Sequence, residues 1–298
     1  MNPTTILSLD PELRAARIDE IKRIIASPTG APIWQEIREA AIKEKELPPY
    51  LVDSVFPGRD EYAAEILGMD YTLCHMIGLR ITRHAMMFLI DGDRSWIDAA
   101  LRQTEVLFDD VEYPAWNHVA RMKISEEESL RTLDLKKDDV HLRTGALAHT
   151  VSLMFNWLRP HLDPDQIEMV VRGLEKRAIN PYLAAIKQKP WWIEVNNNWL
   201  TDIVGGLGVC GMALDGLHDE ARGLIEFADP LMERHLEDYG RQGEFNEGVG
   251  YAGAIYLIVN YHAARLGWTD GKDNRLAQAP YPDMAAWYIQ MSTPPGKL

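Results

Sequence analysis

Four stretches of this chain, 71–90, 143–158, 198–214 and 248–262, are apolar on nearly every side at helical spacing. A helix that is hydrophobic all round has to be buried. The first three are each followed at once by a more charged helical pattern. This pairs 71–90 with 94–108, 143–158 with 164–187, and 198–214 with 218–236 as helical hairpins. Repeated hairpins of that kind stack into a solenoid or close into a toroid whose inner helices surround a cleft. Apolar helices alternating with charged ones fit an inner ring and an outer ring. No alternating strand pattern and no domain-scale linker interrupts the series. The expectation is one all-α domain over residues 1–298, an incomplete (α/α) toroid or barrel of helical hairpins. Residues 1–59 would supply N-terminal helices and a loop that pack on it.

The remaining elements follow from periodicity and punctuation. Residues 11–26 and 32–45 read as helices, and the proline-containing segment 47–59 as a loop. The helical pattern 60–90 breaks near Gly68-Met69-Asp70, and Asp91-Gly92-Asp93 is a turn. Residues 112–139 are polar and irregular, with Glu126 to Glu128 on a solvated face. Asp163-Pro164-Asp165 opens a helix that runs to Ala178, and 181–187 continues it after a break. Residues 282–291 form a last short helix.

A net charge of −14 lacks the basic footprint that nucleic acid requires. An anionic polysaccharide would need a basic cleft set into this acidic whole, for which Arg80, Arg83, His84, Arg143 and Arg241 are the candidates. No apolar run approaches the length of a membrane span. The N-terminus has no basic start, apolar core or small-residue cleavage site, which leaves the compartment open. Cys74 and Cys210 lie in apolar surroundings and read as buried free thiols.

The most informative stretch is Trp191 to Gly211, WWIEVNNNWLTDIVGGLGVCG. An aromatic ring stacks on the apolar face of a pyranose, and amides donate to and accept from hydroxyls or a carboxylate. Trp191, Trp192, Asn196 and Trp199 are therefore candidate sugar contacts. Asparagines are poor in helix interiors and good at caps, so Asn196–Asn198 form a loop with a helix from about Asn198 to Leu214. The alternative is that these amides only cap the helix and the tryptophans are core. Gly206 to Gly211 matches G-x-G-x-x-G, but no strand precedes it, so close helix packing explains it better than a dinucleotide. A second stretch, Arg241-Gln-Gly-Glu-Phe-Asn-Glu-Gly-Val-Gly-Tyr251, places Glu244, Glu247 and Tyr251 at a helix start. Either the carboxylates complement that helix end, or Tyr251 faces a cleft and exchanges a proton with substrate. Zinc and serine-nucleophile motifs are missing, and no cofactor is expected.

Together these residues resemble the α/α-toroid domain of the heparinase II/III-like polysaccharide lyases, a group that includes oligoalginate lyases. His141-Leu-Arg-Thr-Gly-Ala-Leu-Ala-His149 leading to Phe155-Asn-Trp157 is similar to a family helix ending in an aromatic-Asp-Trp motif, with Asn156 in place of Asp. Asn197-Asn198-Trp199 with Gly205-Gly206 resembles the Asn-Asn-(Trp or His) stretch, and Glu247-Gly248-Val249-Gly250-Tyr251 the Glu-Gly-x-x-Tyr stretch. The resemblance implies β-elimination at a uronic acid of an acidic polysaccharide or oligosaccharide. Asn197 and Asn198 would neutralise the C6 carboxylate, and Tyr251 would act as base, acid or both. Arg143, Arg241 and His141 would supply the positive surroundings a tyrosinate needs. It also implies a periplasmic or secreted protein and a downstream β-sandwich, which these 298 residues do not include. Two alternatives remain: a glycoside hydrolase using Asp202 with Glu244 or Glu247, and a carbohydrate-binding toroid without turnover.

Overall fold

The computed structural model describes residues 11–51, 63–113, 115–116, 140–245, 247–248 and 255–291. Helices α1 (Pro11–Ile25), α2 (Gly30–Glu46), α3 (Ala63–Asp91) and α4 (Ser95–Phe108) come first. After them run α5 (Leu142–Leu158), α6 (Pro164–Leu174), a π-helical turn (Glu175–Ile179) and α7 (Asn180–Ile186). The short α8 (Trp191–Glu194), α9 (Asn198–Leu214), α10 (Ala221–Glu237), α11 (Ile255–Trp268) and α12 (Tyr281–Met291) complete the order. No strand occurs among the described residues, so the chain is all-α there.

The four apolar helices lie side by side and run the same way. Gly145 abuts the backbone of Asp202, and Arg159 Nη1 donates to Ala213 O at 3.4 Å, so α5 and α9 are parallel. Gly78 meets Thr150, and the Phe88 ring meets His161 at 4.7 Å, which sets α3 parallel to α5. Gly208 packs under the Tyr261 ring, and Trp268 Nε1 donates to Asp215 at 2.9 Å, which does the same for α11 and α9. A second layer returns antiparallel. Along α10, Ala221, Ala228 and Met232 face Gly211, Gly208 and Gly205 in turn. Residues 200–214 of α9 are all buried, because α5, α10 and α11 each cover one side of it.

Two caps expected from the sequence form, Asp163 at α6 and Asn197 at α9. Asp163 Oδ1 accepts from Gln166 N at 2.9 Å, and Gln166 Oε1 accepts from Asp163 N at 3.1 Å, a reciprocal box that starts α6. Two expected breaks are absent. Helix α3 is continuous through Gly68-Met69-Asp70, since one glycine weakens a helix without ending it. The chain likewise stays helical from Pro164 to Ile186, with the π turn where a break was expected and the Asn180 N–H donating to Glu175 O. Helices α1 and α2 pack on the parallel row: α2 lies on α3, and Arg14 Nη2 of α1 donates to Asn156 Oδ1 at 3.0 Å. Both cysteines are buried free thiols.

Candidate functional site

Parallel packing brings the N-terminal ends of α5 and α9 to one end of the layer, and much of the expected site collects there. Asn197 caps α9: its Oδ1 accepts from Trp199 N at 3.1 Å and Leu200 N at 3.4 Å. With the oxygen so used, the Nδ2 donor is held in one orientation, and it makes no hydrogen bond to a described residue. Glu247 Oε2 accepts from Asn198 N at 2.7 Å, a second cap that places a carboxylate on the positive end of the helix. The Trp199 ring lies against His141 at 4.4 Å and against Trp191 at 4.9 Å. Trp191 is 45% exposed, so this cluster ends in an open aromatic face. Arg143 is buried one residue into α5.

A cavity of about 340 Å³ opens along the same layer, lined by α3, α5, α9 and α11. It begins within one helical turn of the asparagine pair: Thr201 lines it, and the Thr201 hydroxyl donates to Asn198 O at 3.1 Å. Asp202, 3% exposed, is also in its wall, and its Oδ1 has no hydrogen-bond partner. Burial pushes the Asp202 carboxyl well above the usual carboxylate range, favouring its protonated form. Burial lowers His149, across the cavity on α5, to about 4, so its imidazole is neutral. Trp157 lines the far part, with its Nε1 buried and unpartnered. A concave, mostly apolar space with a few converging polar groups and shifted titrations has the character of a ligand site.

The other candidates are placed elsewhere. Arg83 pairs with Glu44 of α2. Arg80 caps the C-terminus of α2, donating to Glu44 O, Leu47 O and Pro48 O at 2.6–2.7 Å. His84 is fully buried beside Trp96 of α4. These three side chains face α2 and α4 rather than the cavity, so the basic cleft expected there does not form. Trp192 is core, stacked on Tyr182, because α8 turns one tryptophan inward and the other out. Asn196 bridges Arg234 and Asp238 of the α10 end at 2.7 and 2.6 Å. Arg241 is exposed on a tight turn, in which Glu244 Oε2 accepts from Gln242 N at 2.8 Å. Tyr251 lies outside the described residues.

Among the described residues no group of three His, Cys, Asp or Glu is placed to hold a metal ion, and no helix is long and apolar enough to cross a membrane. No family model matches the sequence, and a search of the curated proteins finds no match. Thr150, Thr201 and Asn260 of the cavity wall were not singled out from sequence. The available signal was a polar side chain on a helix otherwise apolar all round, as with Thr201-Asp202 in α9 and Asn260 in α11.

Proposed function

We propose that the chain is a polysaccharide-lyase-like toroid that carries out β-elimination at a uronate. The parallel layer would be the inner ring, and the antiparallel helices the outer one. The observation that carries this reading is the fixed Asn197 amide at the positive ends of two parallel helices, beside the open Trp191–Trp199 face. Helix N-termini favour an anion. A uronate stacked on the tryptophan would direct its C6 carboxylate to Asn197 Nδ2, and Asn198 would assist. Neutralising that carboxylate makes C5–H more acidic. In the role the resemblance gives it, Tyr251 takes the C5 proton. The electron pair forms the C4=C5 double bond, the C4–O4 bond breaks, and the departing O4 takes a proton from the tyrosine or from water.

The test is ultraviolet absorbance of the unsaturated product during incubation with a panel of uronate polymers. Absorbance should rise with the wild-type protein and not with Tyr251→Phe. Asn197→Asp keeps an oxygen cap for α9, and so keeps the melting temperature, but replaces the donor with a like charge. We expect it to lower kcat/KM roughly 10²- to 10³-fold. No rise on any uronate polymer, or full activity in Asn197→Asp, would sink the reading.

A further inference from the structure

The end of the layer opposite Asn197 gathers positive charge. Helix α5 closes there and runs into a 3-10 turn, Arg159–His161. Arg14 of α1 donates to Asn156 Oδ1, in the last turn of α5, at 3.0 Å. Arg94, the residue before α4, donates through Nη2 to His161 O at 3.1 Å. Arg159 itself donates to Ala213 O, at the end of α9, at 3.4 Å. Three guanidinium groups from three elements therefore surround residues 156–161. Arg94 and His161 are exposed, and Arg14 and Arg159 are half-buried.

The negative charge nearby does not match them. The C-terminal ends of α5 and α9 supply roughly half a charge each, about one in all against three guanidinium charges. Neither Arg94 nor Arg159 forms an ion pair with a described residue. The acids that flank Arg94 and His161 in sequence are engaged elsewhere. Asp91 accepts from Trp96 Nε1 at 3.0 Å, Asp93 from Ser95 N at 2.9 Å, and Asp163 from Gln166 N at 2.9 Å. The groups also act on one another. Burial lowers the Arg14 pKa and the Arg159 charge lowers it further, while burial and then Arg94 and Arg14 lower His161. These neighbours form a row, Arg94, His161, Arg14 and Arg159, in a chain whose net charge is −14. Each guanidinium carries five donors in a fork that suits a carboxylate, and the carbonyl contacts of Arg94 and Arg159 occupy one donor each. A row of charges fits a strand of repeated anions better than one small ion.

We propose that this row is a second, non-catalytic binding surface for a polyanionic glycan strand. That the glycan is a polyuronate rests on the elimination reading, whereas the surface rests on the gathered arginines. The 17 residues of α5, at about 1.5 Å each, set it roughly 25 Å from the Asn197 end. A polymer held here raises the local concentration of its own uronates at Asn197. A trisaccharide is too short to engage both places.

Two measurements test it. The first is fluorescence anisotropy of labelled polygalacturonate with Tyr251→Phe protein, which leaves the polymer intact. The polymer should bind, and should be released at about 1 M salt, where the screening length is ~3 Å. Adding Arg94→Gln with Arg159→Gln should weaken binding about tenfold, and lysine at both positions should keep most of it, with the fold of each variant checked by circular dichroism. No binding, equal binding by the glutamine variant, or tighter binding of a single-stranded oligonucleotide overturns the proposal. The second follows unsaturated product in the Tyr251 background. The glutamine pair should raise KM about tenfold for a uronate polymer, leaving kcat and the trisaccharide KM unchanged. An equal rise in KM for the trisaccharide, or none for the polymer, overturns the surface and leaves the elimination standing. Polymer binding that depends on Arg94 and Arg159, with no product from any uronate, supports the surface and sinks the elimination.

Discussion

Asp202 carries a stability consequence of its own. In the folded protein burial favours the protonated carboxyl, whereas in the unfolded chain it ionises near pH 4. The folded state therefore binds the extra proton, and stability declines as pH rises from about 4 toward the folded pKa. Asp202→Asn removes that dependence. Calorimetry should find the variant gaining stability relative to wild type as pH rises from about 4 toward 7, because wild type alone must hold a proton in the folded state. An equal gap at both pH values would contradict the protonation argument. At this scale sequence reading was selective. The cap chemistry of Asn197 was legible, because an amide before an apolar run has few other uses. The direction in which Trp191 and Trp192 face was not, since a single turn of α8 sends adjacent side chains to opposite environments. Arg83 and His84 were misplaced for a similar reason: charge type reveals a need for a partner, and the partner came from α2 for one and burial against α4 took the other.

At the scale of the element, α9 shows how close packing is written in glycine. Two neighbouring positions, Gly205 and Gly206, make opposite predictions. A Cβ on Gly206 would lie 2.3 Å from the Gly145 carbonyl oxygen, and backbone cannot move aside as a side chain can. A Cβ on Gly205 would meet nothing nearer than Met232 Sδ at 3.4 Å, an ordinary contact with a flexible group. Gly206→Ala should therefore destabilise by roughly 1–3 kcal/mol or more. Gly205→Ala should be neutral or stabilising by up to about 1 kcal/mol through helix propensity. Urea denaturation of the pair decides it, and equal effects would mean that α5 and α9 are not in this register. That the G-x-G-x-x-G run belongs to a packed helix was visible in the missing strand before it. Which glycine touches which neighbour was not, because the answer depends on α5 and α11, far away in sequence.

For the whole molecule, protonation sets a pH optimum. Burial holds His84, His149 and His235 at about 4, well below the ordinary histidine value. Their contribution is complete above about pH 6.5 and is lost as pH falls from there to about 4, because the unfolded chain then takes up protons that the folded one refuses. Asp202 acts in the opposite sense. Between about pH 4 and 6.5 these three histidines outweigh the one carboxyl, and above that the Asp202 slope opposes stability, joined at alkaline pH by the buried Cys74, Cys210 and Tyr182, whose ionisation burial also disfavours. The melting temperature should thus rise from pH 4 to a maximum near pH 6–7 and then decline, and in Asp202→Asn the decline should flatten to a plateau. A wild-type melting temperature unchanged between pH 4 and 6.5 would contradict this burial pattern. The hairpin pairing behind the architecture was legible in sequence, because helices apolar on every side alternate with charged ones. The parallel run of the four apolar helices and the cavity between them were not, because both depend on contacts drawn from all four.

The π turn at Glu175–Ile179 has a geometric consequence for the outer layer. Among the buried positions of this segment, Val170, Leu174, Ala178 and Tyr182 recur every four residues. In a regular α-helix each step of four overshoots a full turn by about 40°, so three steps would rotate the stripe by about 120°. The wider π turn unwinds much of that excess, keeping Tyr182 in phase with Val170 and seated between Trp192 and Phe227. One residue more or fewer in this turn would rotate everything after it by about 100°, turning Tyr182 away from its aromatic neighbours. The phase of the outer layer, and with it the direction in which α8 presents Trp191, is set by the winding of five residues.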